Sequence, residues 1–147
     1  TMAATVRPLA EGDAARWREL FRAYGEFYET AFGDEVLDRV WALLRTEGSG
    51  IDALVAEHDG GVVGIAHYRS HPDTFTGGRD WYLDDLFVDP AARGAGAGRA
   101  LIEHIAELSA GTGGSLRWIT ADTNTTAQAL YDKIATRTRW VTYEMRR

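Results

Sequence analysis

Residues 81–104 read WYLDDLFVDPAARGAGAGRALIEH, and the fold turns on how this run divides. The aromatic and β-branched opening at 81–88 predicts a strand. Asp89-Pro90 stops it, because proline cannot extend a ladder and restricts the residue before it. Arg93-Gly94-Ala95-Gly96-Ala97-Gly98 follows, and then Leu101, Ile102, Ile105 and Leu108 recur on one helical face. Strand, glycine-rich loop and helix start, in that order, build an anion site. Glycine lets the backbone approach a ligand, and the unbonded N–H groups of the first helical turn aim the positive end of the dipole at it. A diphosphate is the guest that this arrangement predicts. A P-loop ends in Gly-Lys-Ser/Thr, whereas Gly98 is followed by Arg99-Ala100. The dinucleotide fingerprint is G-x-G-x-x-G with a carboxylate about twenty positions on. Here the spacing is G-x-G-x-G, and residues 114–118 hold no carboxylate.

Composition narrows the classes. The 147 residues amount to one domain, 1–147, able to bury a core. A net charge of −6 and the absence of any basic run disfavour a nucleic-acid partner. The apolar runs are shorter than a membrane span and no charged-then-apolar leader opens the sequence, so no membrane partner and a cytoplasmic location are expected. Zero cysteines removes disulfides, thiolate catalysis and cysteine-ligated zinc together. Thr1 ahead of Met2 reads as a processing remnant.

Outward from the quoted stretch, Val6-Arg7-Pro8-Leu9 reads as a first short strand. Asp13 is placed to cap a helix with Trp17, Leu20, Phe21, Tyr24 and Tyr28 on one face, and Gly25 marks a candidate bend. Asp34 is placed to cap a second helix, striped by Val36, Leu37, Val40, Trp41 and Leu44 and ended by Gly48-Ser49-Gly50. Strands at 51–58 and 62–68 flank Asp59-Gly60, a tight-hairpin signal, and 70–79 reads as a loop. After a helix at 97–110 and the breaker Gly111-Thr112-Gly113-Gly114, a strand is expected at 116–121, a helix from Asn124-Thr125-Thr126 through Ile134, and a last strand at 140–145. The sum is an α/β protein: a central mixed sheet flanked by helices, without repeats or linkers.

The loop Arg93–Gly98, placed after LDDLFVDP and before an amphipathic helix, resembles the acetyl-CoA-binding motif of the GNAT N-acetyltransferases. The element order is similar to that fold along essentially the whole chain. Within the family, YLDDLFV resembles the polyamine and small-amine branch. One departure concerns the end: Tyr131-Asp132-Lys133-Ile134-Ala135-Thr136 lacks the Gly-Phe that many members carry after this helix. The final strand therefore has two readings, pairing within the monomer or forming the edge of a homodimer.

The resemblance implies roles. Acetyl-CoA would be the cosubstrate, its pyrophosphate taken by Arg93, Gly94, Ala95, Gly96, Ala97, Gly98 and Arg99. Leu86, Phe87 and Val88 would pair through their backbone with the pantetheine arm, and one of their N–H groups would polarise the thioester carbonyl. Tyr131 lies seven residues after Asn124, the family's spacing for a cofactor-side asparagine and a tyrosine that protonates the departing thiolate. A phenol with a pKa of about 10 holds its proton at neutral pH and can do so. Periodicity alone also reads Tyr131 as part of a packing stripe with Ala127, Leu130 and Ile134, and Asn124 as a helix cap.

Asp84 and Asp85 are adjacent carboxylates in an apolar strand, costly there unless paired or hydrated. Strand alternation sends one to the cleft and one toward a helix. In the resembling branch such residues hold a cationic amine and remove its proton; the alternative is an ion pair with Arg7, Arg69 or Arg79. Tyr24, Glu26, Phe27 and Tyr28 lie where the family's first helices line the acceptor pocket, and they read equally as a packing face with Glu26 in solvent. His67 and His71 share no helical face and have no third ligand nearby, so no metal is expected. His58 and His104 read as surface residues.

The expected function is acetyl transfer to a primary amine of a small cationic molecule by direct attack, no cysteine being present to carry an acyl-enzyme. The rival readings are a protein or peptide N-acetyltransferase, and a CoA-binding regulatory module without catalysis.

Overall fold

The computed structural model describes residues 3–146, so Thr1 and Met2 lie outside the described residues. Strands β1 (Thr5–Pro8), β2 (Asp52–His58), β3 (Gly61–Pro72), β4 (Arg79–Val88) and β5 (Gly113–Arg117) form one sheet in that spatial order. The first four are mutually antiparallel, and β5 runs parallel to β4. A parallel neighbour needs a long crossover, and α3 (Ala97–Ser109) supplies it. Helices α1 (Ala14–Phe27) and α2 (Asp34–Leu44) cover one face of the sheet, while α3 and α4 (Thr125–Ile134) pack on the other. This is the mixed α/β architecture that the sequence implies.

Period-two alternation divides the core. Ala53, Val55 and Ile65 meet Trp17, Leu20, Phe21 and Leu37 on the first face. Leu54, Ala56, Ala66 and Leu83 meet Leu101, Ile102 and Ile105 on the second. Strand β2 is thus apolar on both sides, as a strand between two helical layers must be. The Asp59-Gly60 turn has positive φ at both residues, the geometry of a tight primed hairpin.

Several local expectations shift. Asp13 does not cap α1 through its side chain. Its carboxylate instead accepts from the Ala10 N–H at 2.7 Å and from both Arg7 terminal nitrogens at 2.8 and 2.9 Å, closing a 3-10 turn at Glu11–Asp13. Asp34 is the first residue of α2, capped by Gly33, and its carboxylate pairs with Arg18 and Arg22. Gly25 produces no bend: α1 runs through it, and an added Cβ would come within 2.7 Å of the Phe32 ring and the Thr30 carbonyl. The loop expected at 70–79 shrinks to 73–78, because Arg69 through Pro72 pair with Arg79 through Tyr82. Strand β5 starts earlier than 116 and ends at Arg117, held to β4 by the Ser115 N–H on Asp80 and the Trp81 indole on Thr112. Residues 140–145 form no strand. Their alternating pattern meets no partner strand among the described residues, and a strand needs a ladder to join.

The Arg7 hydrogen bonds, helped by the Ala10 amide and opposed by burial, hold the Asp13 carboxyl below its ordinary value of 3.8. A depressed carboxylate adds stability that is fully present above the unfolded value and disappears as pH falls through the folded one. Acid unfolding of the wild type is therefore expected to steepen below about pH 4, and Asp13→Asn to flatten that limb while lowering Tm at pH 7. Identical acid limbs in thermal melts of the two proteins would contradict this.

Candidate active site

A one-residue irregularity organises the site. Between β3 and β4 the register runs His67↔Asp85 and then Tyr68↔Leu83, so Asp84 is an extra residue in β4. A bulge of this kind resets alternation. Arg69 and His67 are alternate residues of β3 and share one face. Arg69 bonds Asp84, and His67 bonds Asp85. Both carboxylates consequently point to the α1 side, with Phe87, and not to opposite faces as simple alternation predicts. Nothing in the composition of YLDDLFV marks the bulge, so this juxtaposition is set by strand pairing alone.

The two acids are held differently. The Arg69 Nε donates to both Asp84 oxygens, at 2.9 and 3.2 Å, so Asp84 forms one of the ion pairs offered as alternatives for it. Among the described residues Asp85 meets no arginine. Its Oδ2 lies 2.9 Å from His67 Nδ1, while His67 Nε2 lies 2.9 Å from Trp17 Nε1. An indole nitrogen can only donate, so Nε2 of the imidazole must accept and the ring proton resides on Nδ1. His67 is thereby fixed as a donor to Asp85, fully buried against Trp17 and Phe21. The Tyr24 phenol lies against the same carboxylate. Sequence alone marks neither His67 nor Trp17 as a residue of the site. The available signal was a histidine in register with Ile65 and Arg69 along one strand face.

Tyr24 lies against Asp85, and Tyr28 and Tyr131 stand beside Tyr24. Burial raises the Tyr24 phenol above its ordinary value, and the neighbouring Asp85 carboxylate raises it further. Tyr24 stacks edge-on with Tyr28 at 5.1 Å between centroids and with Phe87 at 6.3 Å. Tyr131 on α4 packs edge-on against Trp118, 5.3 Å away, and its phenol is raised by burial first and then by Tyr28. A phenol so shifted keeps its proton throughout the neutral range. Glu26 is exposed on the last turn of α1 and is not drawn into this group. Asn124 caps α4: its Oδ1 accepts from the Ala127 N–H and its amide donates to Thr120, both at 3.3 Å.

The neighbouring backbone is open. Strand β5 pairs with β4 only as far as Tyr82↔Arg117. Beyond that point the β5-facing backbone groups from Leu83 to Val88 have no strand partner among the described residues, and Leu86, Phe87 and Val88 lie in this open half. At its end, Gly94 and Gly96 take φ of +95° and +72°, and an added Cβ at either would meet nothing within 4 Å. The first helical bond of α3 runs from Ala100 to the Gly96 carbonyl, leaving the N–H groups of Ala97, Gly98 and Arg99 ahead of the ladder. Arg93 is exposed, and Arg99 pairs with Glu103 at 3.4 Å. An extended polar arm in the open half of β4 and an anion at the α3 terminus both fit these residues. Among the described residues, no group of three or more His, Asp or Glu could hold a metal, and no helix is long and apolar enough to cross a membrane.

The profile of the Acetyltransferase (GNAT) family matches residues 16–135, from early α1 to the end of α4. The chain belongs to the GNAT acetyltransferases. This enzyme is 30% identical over 142 residues to the D-amino-acid N-acetyltransferase of Saccharomyces cerevisiae, covering 95% of this chain and 88% of that one. It is 31% identical over 139 residues to the thialysine N-epsilon-acetyltransferase of Bos taurus, covering 86% and 79%. In structure it superposes on the ribosomal-protein-alanine N-acetyltransferase of Brucella melitensis with a TM-score of 0.78 at 24% identity over 98% and 99% of the two chains, a likeness of fold. The activity class of this GNAT enzyme is N-acetyl transfer, and its sheet with flanking helices is the family's fold.

Proposed function

We propose that this chain is a single catalytic domain that moves an acetyl group from acetyl-CoA to a primary amine of a small cationic molecule by direct attack. The observation that carries the reading is Asp85: a carboxylate held by His67 and faced by Tyr24, which Tyr28 and Tyr131 flank, on the half of β4 that β5 leaves open. Acetyl-CoA supplies the activated acetyl thioester. The backbone of Leu86, Phe87 and Val88 and the loop from Arg93 to Arg99 hold it, with Asn124 at the head of α4 framing that side. An alkyl ammonium has a pKa near 10 and cannot attack until it loses a proton. Asp85, or a water held by it, takes that proton. A β4 N–H polarises the thioester carbonyl. Tyr131, still protonated, returns a proton to the departing sulfur. Asp84, bonded to Arg69, orients that arginine and does not act as the base. Tyr24 and Tyr28 offer ring faces to a cation, with Glu26 adding negative charge at the rim. The acceptors named for the two curated relatives, a D-amino acid and thialysine, are small-molecule amines and support this reading.

The test is a thiol-release screen with acetyl-CoA against polyamines, amino acids, aminoglycosides and a lysine peptide. Turnover of free small amines but not of the peptide is the expected result. Turnover of the peptide alone would favour the protein-acetyltransferase reading, and binding of acetyl-CoA without any release would favour a regulatory module. A homodimer is supported by the exposed apolar side chains of Trp140, Val141, Tyr143 and Met145 and by the outer edge of β5, which no strand covers among the described residues. Light scattering should then give about twice the 16.2 kDa chain mass.

A further inference from the structure

Arg69 stands on the same face of β3 as His67, two residues further along. Its Nε bond to Asp84 and the Tyr82 ring, 4.8 Å from its guanidinium carbon, fix the plane of the group. The side chain is nonetheless 44% exposed. Among the described residues its two terminal nitrogens donate to no protein acceptor. A guanidinium carries five N–H groups, and Asp84 engages only the one on Nε. The other four form a held, open fork of the kind that takes a carboxylate with two parallel bonds.

We propose that Arg69 binds a carboxylate of the acceptor, so that the substrate class is amino acids, with the ammonium on Asp85 and the carboxylate on Arg69. The inference rests on the small-amine reading above and narrows it. The face presents one oriented anion and one oriented cation. Asp85 faces a histidine that the Trp17 bond keeps as an Nδ1–H donor, so its negative charge is not cancelled by a guanidinium. Arg69 shares its charge with Asp84 but keeps its donor geometry toward solvent. A zwitterion satisfies both groups. A polyamine, cationic at both ends, would set its second ammonium against Arg69, so the polyamine-like YLDDLFV motif is here re-tuned by a residue on the next strand. Asp85 lies opposite His67, and Arg69 stands two residues, about 6.6 Å, further along β3, so two flexible side chains reaching toward a common ligand cover the spans of α-amino and ω-amino acids alike. Tyr82 supports the geometry: its phenol is raised by burial and then by Asp84, while Arg69 opposes the rise, so these charges converge on one ring.

The experiment uses the full chain at saturating acetyl-CoA and reads thiol release. The acceptors are matched pairs: α-amino acids and their carboxamides, ω-amino acids and their carboxamides, and diamines of the same lengths. The wild type is expected to prefer the acid over its amide by about 10- to 100-fold in kcat/KM, the worth of a charge-assisted bond. Arg69→Gln should erase that preference by raising KM for the acid alone, and Arg69→Lys should keep part of it. Unchanged circular dichroism of both variants would exclude unfolding as the cause. Equal use of acids and amides by the wild type, a diamine as best acceptor, or equal losses on acid and amide in Arg69→Gln would each overturn the carboxylate anchor while leaving small-amine transfer intact. Release from no amine at all would overturn the small-amine reading and the anchor with it. The pair showing the larger preference assigns the α- or the ω-amine.

Discussion

Tyr131→Phe is expected to lower kcat by about 100-fold or more while leaving acetyl-CoA affinity within about twofold, since a positioned acid contributes about 10²- to 10⁴-fold. The physical basis is the mismatch between what the residue packs against and what its hydroxyl does. The ring lies edge-on to Trp118 and belongs to the α3-side core, so phenylalanine preserves the packing. The hydroxyl takes no protein partner among the described residues, and burial together with Tyr28 keeps its proton in place. Removing the oxygen therefore removes a proton donor and little else. Calorimetric titration with acetyl-CoA and a thiol-release assay on the same preparation separate the two quantities. A variant with full turnover would reduce Tyr131 to a packing residue, and equal losses in binding and turnover would point to a disturbed α4.

Asp85→Asn is expected to cost about 100-fold in kcat/KM at pH 7, the scale of a lost general base, and Asp84→Asn less than about tenfold, mainly through KM. Sequence treats these neighbours as equivalent; their hydrogen bonds do not. Asp85 lies against the Tyr24 phenol and has a buried, oriented histidine behind it. Asp84 has Arg69. The pH dependence discriminates further. A base is needed only while the acceptor is an ammonium, so the Asp85→Asn deficit should shrink as pH rises toward the amine pKa of about 10. A pH-independent deficit would mean that Asp85 holds the amine without taking its proton. Equal losses at the two positions would remove the distinction that the bulge creates.

These two cases show where the sequence was legible. Strand β4, the glycine-rich loop and α3 follow from residues 81–104, because proline, glycine and a 3.6-residue stripe are local signals that tertiary packing had no cause to override. Tyr131 and Asn124 could be placed by spacing along a single helix, which is equally local. The orientation of Asp84 and Asp85 could not be read, since a bulge depends on which residue of β3 opposes which residue of β4. The end of the chain was misread for a related reason: 140–145 alternates like a strand, but alternation becomes a strand only beside an unpaired ladder that the segment can reach.

By itself, then, the amino-acid sequence determined a mixed α/β sheet, its element order as far as α4, and a glycine-rich turn at the end of one strand, because each is encoded within a few neighbouring residues. Tertiary structure alone decided that β5 leaves β4 after Tyr82, that Trp17 and His67 stand behind Asp85, and that Arg69 takes Asp84. Each of these joins residues distant along the chain, where cross-strand register and the pairing of buried polar groups, not local propensity, set the lowest free energy.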